Sequence, residues 1–131
     1  MSSDFVRRIK SEISRAEHAS PSVLSEIEDE LAIRPSAELW ILRGDALQLS
    51  DDDDDDVIEE IEASYRQALE LDPESADAYE SLGHFLFSVH DDAGASIEFF
   101  RRALALGAGL SAREGLKEAE DELAEMGGSD A

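Results

Sequence analysis

The sequence predicts an all-α fold of short antiparallel helical hairpins, and three observations carry that prediction. Apolar residues recur three or four positions apart with charged residues between them, as in Phe5, Ile9, Ile13 and Ala16. No stretch alternates apolar and polar residues as a half-buried strand does. Ala68-Leu69-Glu70-Leu71 is a run of strong helix formers halted by Asp72-Pro73, because proline disfavours helical geometry in the residue before it. Ser75 is placed to cap a new helix at once, so one helix ends and another starts within a few residues.

Each element follows from the same signals. Asp4 to Glu17 reads as an amphipathic helix, broken at His18-Ala19-Ser20-Pro21. Ser20 as cap and Pro21 at the first helical position open a second helix. Its apolar side is Val23, Leu24, Ile27, Leu31 and Ile33, and it halts before Pro35. A third runs from Ser36 to about Leu49 through Leu39, Trp40, Leu42, Ala46 and Leu47. Six consecutive aspartates, Asp51 to Asp56, interrupt the pattern before helix resumes at Val57 and continues to Leu71. A fifth helix spans about Ser75 to Val89, with Tyr79, Leu82, Phe85 and Leu86 on its apolar side. After His90-Asp91-Asp92 a sixth uses Ile97, Phe99, Phe100, Ala103, Leu104 and Leu106, and Gly107-Ala108-Gly109 ends it. Ser111-Ala112-Arg113-Glu114 has the form of a capping box and opens a last helix to Met126.

Composition narrows the function. Eleven basic against 33 acidic residues give a net charge of −22, which repels nucleic acid and anionic membrane and attracts cations and basic partners. There is no cysteine, hence no disulfide, thiolate metal site or cysteine nucleophile. The start, Met1-Ser2-Ser3-Asp4, lacks the pattern of a signal peptide, and no apolar run has the length of a membrane span, so a cytoplasmic location is expected. Self-repulsion at this charge predicts a fold that salt strengthens.

A repeat emerges when the helices are aligned. Trp40-Ile41-Leu42-Arg43-Gly44 matches Tyr79-Glu80-Ser81-Leu82-Gly83, each followed three residues on by leucine (Leu47, Leu86). Tyr65 precedes Ala68 as Phe100 precedes Ala103. This resembles the tetratricopeptide repeat, W-x2-L-G-x2-Y…A-x3-F…P, whose period is 34 residues. Pro35 to Pro73 is 38 residues, and the excess sits at the aspartates, which read as an enlarged turn within one repeat. Departures are Arg43 for leucine, leucines for the tyrosine, Ile61 and Ser96 for alanine, and Gly107-Ala108-Gly109 for Asp-Pro. The resemblance implies a short right-handed α-α superhelix of about three hairpins plus a C-terminal capping helix. Its parts are a degenerate first hairpin (4–35), a repeat with the Asp-rich insertion (36–74), a second repeat (75–108) and the cap (111–126). Together they form one domain over 1–126, followed by a flexible tail at 127–131. Gly44 and Gly83 are expected where the helices of a hairpin cross closely, and Trp40, Tyr65, Tyr79 and Phe100 between stacked hairpins.

In this family the first helix of each hairpin lines a concave, peptide-receiving surface. The resemblance assigns that surface to Glu38, Ile41, Asp45, Gln48 and Leu49, then Asp77, Glu80, His84, Phe87 and Ser88. Ile41 and Phe87 stand as apolar anchors among four carboxylates, which suits a net-basic peptide or helix. The competing expectation is that Phe87 packs on Leu110 or Leu116 and the acids are merely solvated. Capture of an acidic chaperone tail, which other members achieve with Lys, Arg and Asn, is not expected from acidic, apolar and histidine side chains. The resemblance also sets the aspartate run beside His90-Asp91-Asp92. The run lacks the alternating spacing and glycine of a calcium loop, so a solvated loop is expected there and no metal. Gly107-Ala108-Gly109-Leu110-Ser111-Ala112 matches a dinucleotide motif by chance, because helix rather than strand precedes it. His18, His84 and His90 are scattered with no catalytic spacing, so neither an enzyme nor a cofactor is expected. The expectation is a protein–protein interaction scaffold of undetermined oligomeric state. An acidic decoy for a basic nucleic-acid-binding surface and a self-associating structural solenoid are the alternatives.

Overall fold

The computed structural model of the chain describes residues 2–15, 21–49 and 54–128. These form seven α-helices: α1 (Ser2–Arg15), α2 (Pro21–Ile33), α3 (Ala37–Gln48), α4 (Asp55–Leu71), α5 (Ala76–Ser88), α6 (Ala93–Ala105) and α7 (Leu110–Gly128). No strand occurs among the described residues, and none of the helices is long and apolar enough to cross a membrane. The predicted break at His18 to Ser20, Ser20 as cap, and Asp51 to Asp53 lie outside the described residues.

Helix starts obey short-range chemistry. Ser36 Oγ accepts a hydrogen bond from Leu39 N at 3.2 Å and Ser75 Oγ one from Ala78 N at 3.1 Å. Each satisfies an amide with no intrahelical partner. Asp92 Oδ1 does the same for Ala95 N at 3.0 Å. The acidic run is not wholly a turn: Asp54 caps α4 through Asp56 N at 3.0 Å, and Asp55 and Asp56 form its first turn. Carboxylates there face the positive end of the helix dipole, so helix begins two residues before Val57. The expected capping box fails in α7. Arg113 N bonds Gly109 O, so the helix starts before Ser111, whose hydroxyl is used elsewhere. α6 closes with Gly107 at φ 103, Gly107 N bonding Leu104 O and Ala108 N bonding Ala103 O. α7 runs through Gly127 and Gly128, and the rest of the predicted tail lies outside the described residues.

The chain divides into two compact units, Met1–Pro73 and Glu74–Ala131, where one domain was expected from sequence. In the first, α3 is central, packing on α1, α2 and most extensively α4. Val6, Ile9, Val23, Ile27, Leu31, Leu39, Leu42 and Ala46 form its core, with Phe5, Ile13, Leu24 and Trp40 packed partly buried against it. Ile33, expected on the apolar side of α2, is 69% exposed at the last position of that helix. In the second unit α6 lies against both α5 and α7. Its apolar contacts form one group around Phe100, Ala103 and Ala112 and another around Ala93, Ile97 and Ala119, with Leu116 touching both.

Candidate functional site

Both hairpins carrying the repeat are built on the same crossing. A β-carbon on Gly44 of α3 would stand 2.6 Å from Tyr65 Cε1 on α4. One on Gly83 of α5 would stand 2.8 Å from Phe100 Cε1 on α6. Real β-carbons do not approach that closely, so each glycine lets its helix rest directly on the partner's ring. Tyr65 therefore fills the crossing inside its hairpin, where sequence suggested the gap between hairpins; Phe100 fills the crossing and also meets α7 at Gly115. Ala68 and Ala103, three residues on, are fully buried.

The residues assigned to the inner surface divide by unit. In the first, Lys10 Nζ on α1 donates to Glu38 Oε1 at 2.8 Å, an exposed pair. Ile41 is 8% exposed, so this side chain is committed to packing and does not stand free as the expected anchor. Tyr65 Oη donates to Asp45 Oδ1 at 2.6 Å and accepts from Gln48 Nε2 at 2.8 Å. Burial, reinforced by the Asp45 charge and hydrogen bond, pushes the Tyr65 hydroxyl far above the ordinary phenol range. Asp45 and Gln48 thus hold the polar end of a buried ring, which a tyrosine inside a core demands.

In the second unit Asp77 is exposed in the first turn of α5 and Glu80 is half-buried. Neither makes an ion pair among the described residues. His84 Nε2 lies 3.1 Å from Ser111 Oγ on α7, and its ring stands edge-on to Phe100 with centroids 4.8 Å apart. Phe87 is half-buried and packs with Leu116 against Ala93, Ile97 and Ala119. The packing alternative thus holds for Leu116, whereas Leu110 is exposed. α7 therefore engages the two residues of α5 best suited to grip a ligand, and it leaves the two carboxylates open.

Three features of these surroundings were not read from sequence. Gly115 on α7 meets the same Phe100 ring as Gly83 does: a β-carbon there would lie 2.5 Å from Phe100 Cζ. Its signal was the small-residue stripe Ala112, Gly115, Ala119 at spacings of three and four. Arg43 is only 14% exposed. It donates to Ser64 Oγ at 2.7 Å and pairs with Glu28 on α2 and Glu60 on α4, each at 3.3 Å. Its guanidinium also sits 5.8 Å from the Trp40 ring centre. Among the described residues, no group of three or more His, Asp or Glu side chains converges to hold a metal. The His90 ring stands edge-on to Phe85 with centroids 5.0 Å apart.

Compared with known proteins, the chain matches no protein-family model and no curated protein.

Proposed function

We propose that this chain is a non-enzymatic interaction module of tetratricopeptide type, in which helical hairpins present an acidic surface to a net-basic peptide or helix. The observation that carries the reading is the repeated crossing, Gly44 on Tyr65 and Gly83 on Phe100, within hairpins whose sequences align. An array of this kind stacks its hairpins into a short right-handed superhelix with an open inner face. Charge supplies the partner's chemistry, since a net −22 disfavours anionic ligands and speeds encounter with cationic ones. Asp77 and Glu80, open on α5, are its first contacts, with Glu38 available by exchanging Lys10 for a partner's cation.

Binding of a fluorescent lysine- and arginine-rich peptide, followed by anisotropy across a salt series, tests this. Replacing Asp77 by Asn together with Glu80 by Gln is expected to weaken binding, and an acidic tail peptide is expected not to bind. Measurable affinity for the acidic peptide would refute the reading. The extreme charge also supports a second reading, an acidic decoy laid on a basic nucleic-acid-binding surface. That reading requires affinity spread over many carboxylates and abolished by moderate salt, with the Asp77/Glu80 change having little effect. Phe87→Asp does not separate the two, because Phe87 belongs to the packing of the second unit.

A further inference from the structure

With Ile41 buried and Phe87 packed on α7, the inner residues offer charge without an apolar anchor. An anchor surface exists on another face of α3. Between α2 and α4 lies an open hollow of ≈ 510 Å³. Half-buried Trp40 and the exposed Ala32 and Ala63 line it, together with Leu31, whose side chain belongs to the core. Glu28 and Glu60 stand at its edge with Arg43 between them. Beside it the exposed face of α4 carries Asp56 and Glu59, one turn before Glu60 and Ala63.

We propose that this hollow receives the apolar side of a basic amphipathic helix from a partner protein. The proposal rests on the net-basic partner argued above and says where that partner's hydrophobic contact goes. Volume alone would allow a small molecule, but pockets for small ligands enclose most of the ligand, and this hollow is open to solvent. A helix suits it better, because a helix lays side chains three and four residues apart along one groove. Charge selects the sign: four carboxylates, Glu28 and Glu60 at the hollow and Asp56 and Glu59 on the adjoining face of α4, stand against the single guanidinium of Arg43. Leucines of the partner cover Trp40, Ala32 and Ala63 while its lysines reach the carboxylates at the edge. The same edge repels nucleic acid and anionic lipid.

Trp40 is the only tryptophan, so the hollow carries its own reporter. The probe is a synthetic helix with leucines on one side and lysines on the other, compared with an oligolysine of equal charge. The leucine–lysine helix is expected to shift Trp40 emission to the blue in a saturable manner, and the oligolysine is not. Ala32→Leu with Ala63→Leu fills the hollow at exposed helical positions and is expected to lower affinity by about tenfold or more, as loss of an anchoring pocket does. Asp56→Asn with Glu59→Gln leaves the apolar lining intact and is expected to flatten the salt dependence. An equal shift with oligolysine, or unchanged affinity in the leucine double variant, overturns the proposal. If affinity survives there but is lost in the Asp77/Glu80 variant, the interaction reading stands and this surface is wrong. If neither peptide binds the wild-type chain, both fall.

Discussion

Replacing Gly44 by Ala puts two opposing quantities on one atom. Alanine is the better helix former by about 1 kcal/mol, so an unobstructed helical glycine gains stability from the change. At Gly44 the new carbon would lie 2.6, 2.8 and 3.0 Å from three atoms of the Tyr65 ring. That ring is 1% exposed, and its hydroxyl is held by Asp45 at 2.6 Å and Gln48 at 2.8 Å, so it cannot swing aside without breaking those bonds. Overpacking of this kind costs about 1–3 kcal/mol, and a disturbed buried hydrogen bond about 1 kcal/mol more. The clash wins, and Gly44→Ala is expected to destabilise by about 1–3 kcal/mol. Gly94 is the internal control, because a β-carbon there meets only Asp92 Oδ1 at 3.7 Å, an ordinary contact. Gly94→Ala is expected to stabilise by about 0.5 kcal/mol. Thermal and urea unfolding followed by helical circular dichroism reads both, with about 3–4 °C per kcal/mol for a chain of this size. Trimming the ring, Gly44→Ala with Tyr65→Leu, is expected to cost less than the two changes summed. If Gly44→Ala raises the melting temperature as Gly94→Ala does, the close crossing is not what holds α3 on α4.

The remaining predictions concern single groups. Tyr65 releases its proton near pH 10 when unfolded and well above that when folded, so its contribution is intact below pH 10 and is lost as pH rises beyond it. The stability difference between wild type and Tyr65→Phe is therefore expected to shrink by about 1.4 kcal/mol per pH unit above 10, measured by urea unfolding at pH 9 to 11. A constant difference would contradict the buried hydroxyl. Arg43→Met keeps the stem on Trp40 but removes the link from α2 to α4, and a loss of about 1–2 kcal/mol is expected. Asp91 has φ 52, a left-handed conformation that costs a residue with a β-carbon about 1 kcal/mol, so Asp91→Gly is expected to raise the melting temperature by a few degrees. With −22 on 131 residues, that temperature is also expected to climb between dilute buffer and molar salt; a flat response would mean the charges are already compensated.

Much of this protein was legible in the chain because the forces involved act within one helical turn. Ser36 and Ser75 cap where their spacing to the apolar residues places them, and Asp72-Pro73 and Gly107 stop helices by backbone sterics alone. That Gly44 and Gly83 mark close crossings was readable too, since they recur at matching places in aligned helices, but not that Tyr65 and Phe100 fill them. The start of α4 was misjudged because an aspartate run looks like solvent-bound loop until the helix dipole gives its last members a place.

What Asp45, Gln48 and His84 do was settled only by partners distant in sequence. Asp45 and Gln48 became supports of a buried hydroxyl twenty and seventeen residues away, and His84 turned to a serine twenty-seven residues on. Helical periodicity places a residue on a face, and the sequence by itself determined those faces, the hairpins and the sign of the charge. Only the tertiary structure decided which faces were already occupied, because occupancy depends on where another helix comes to rest.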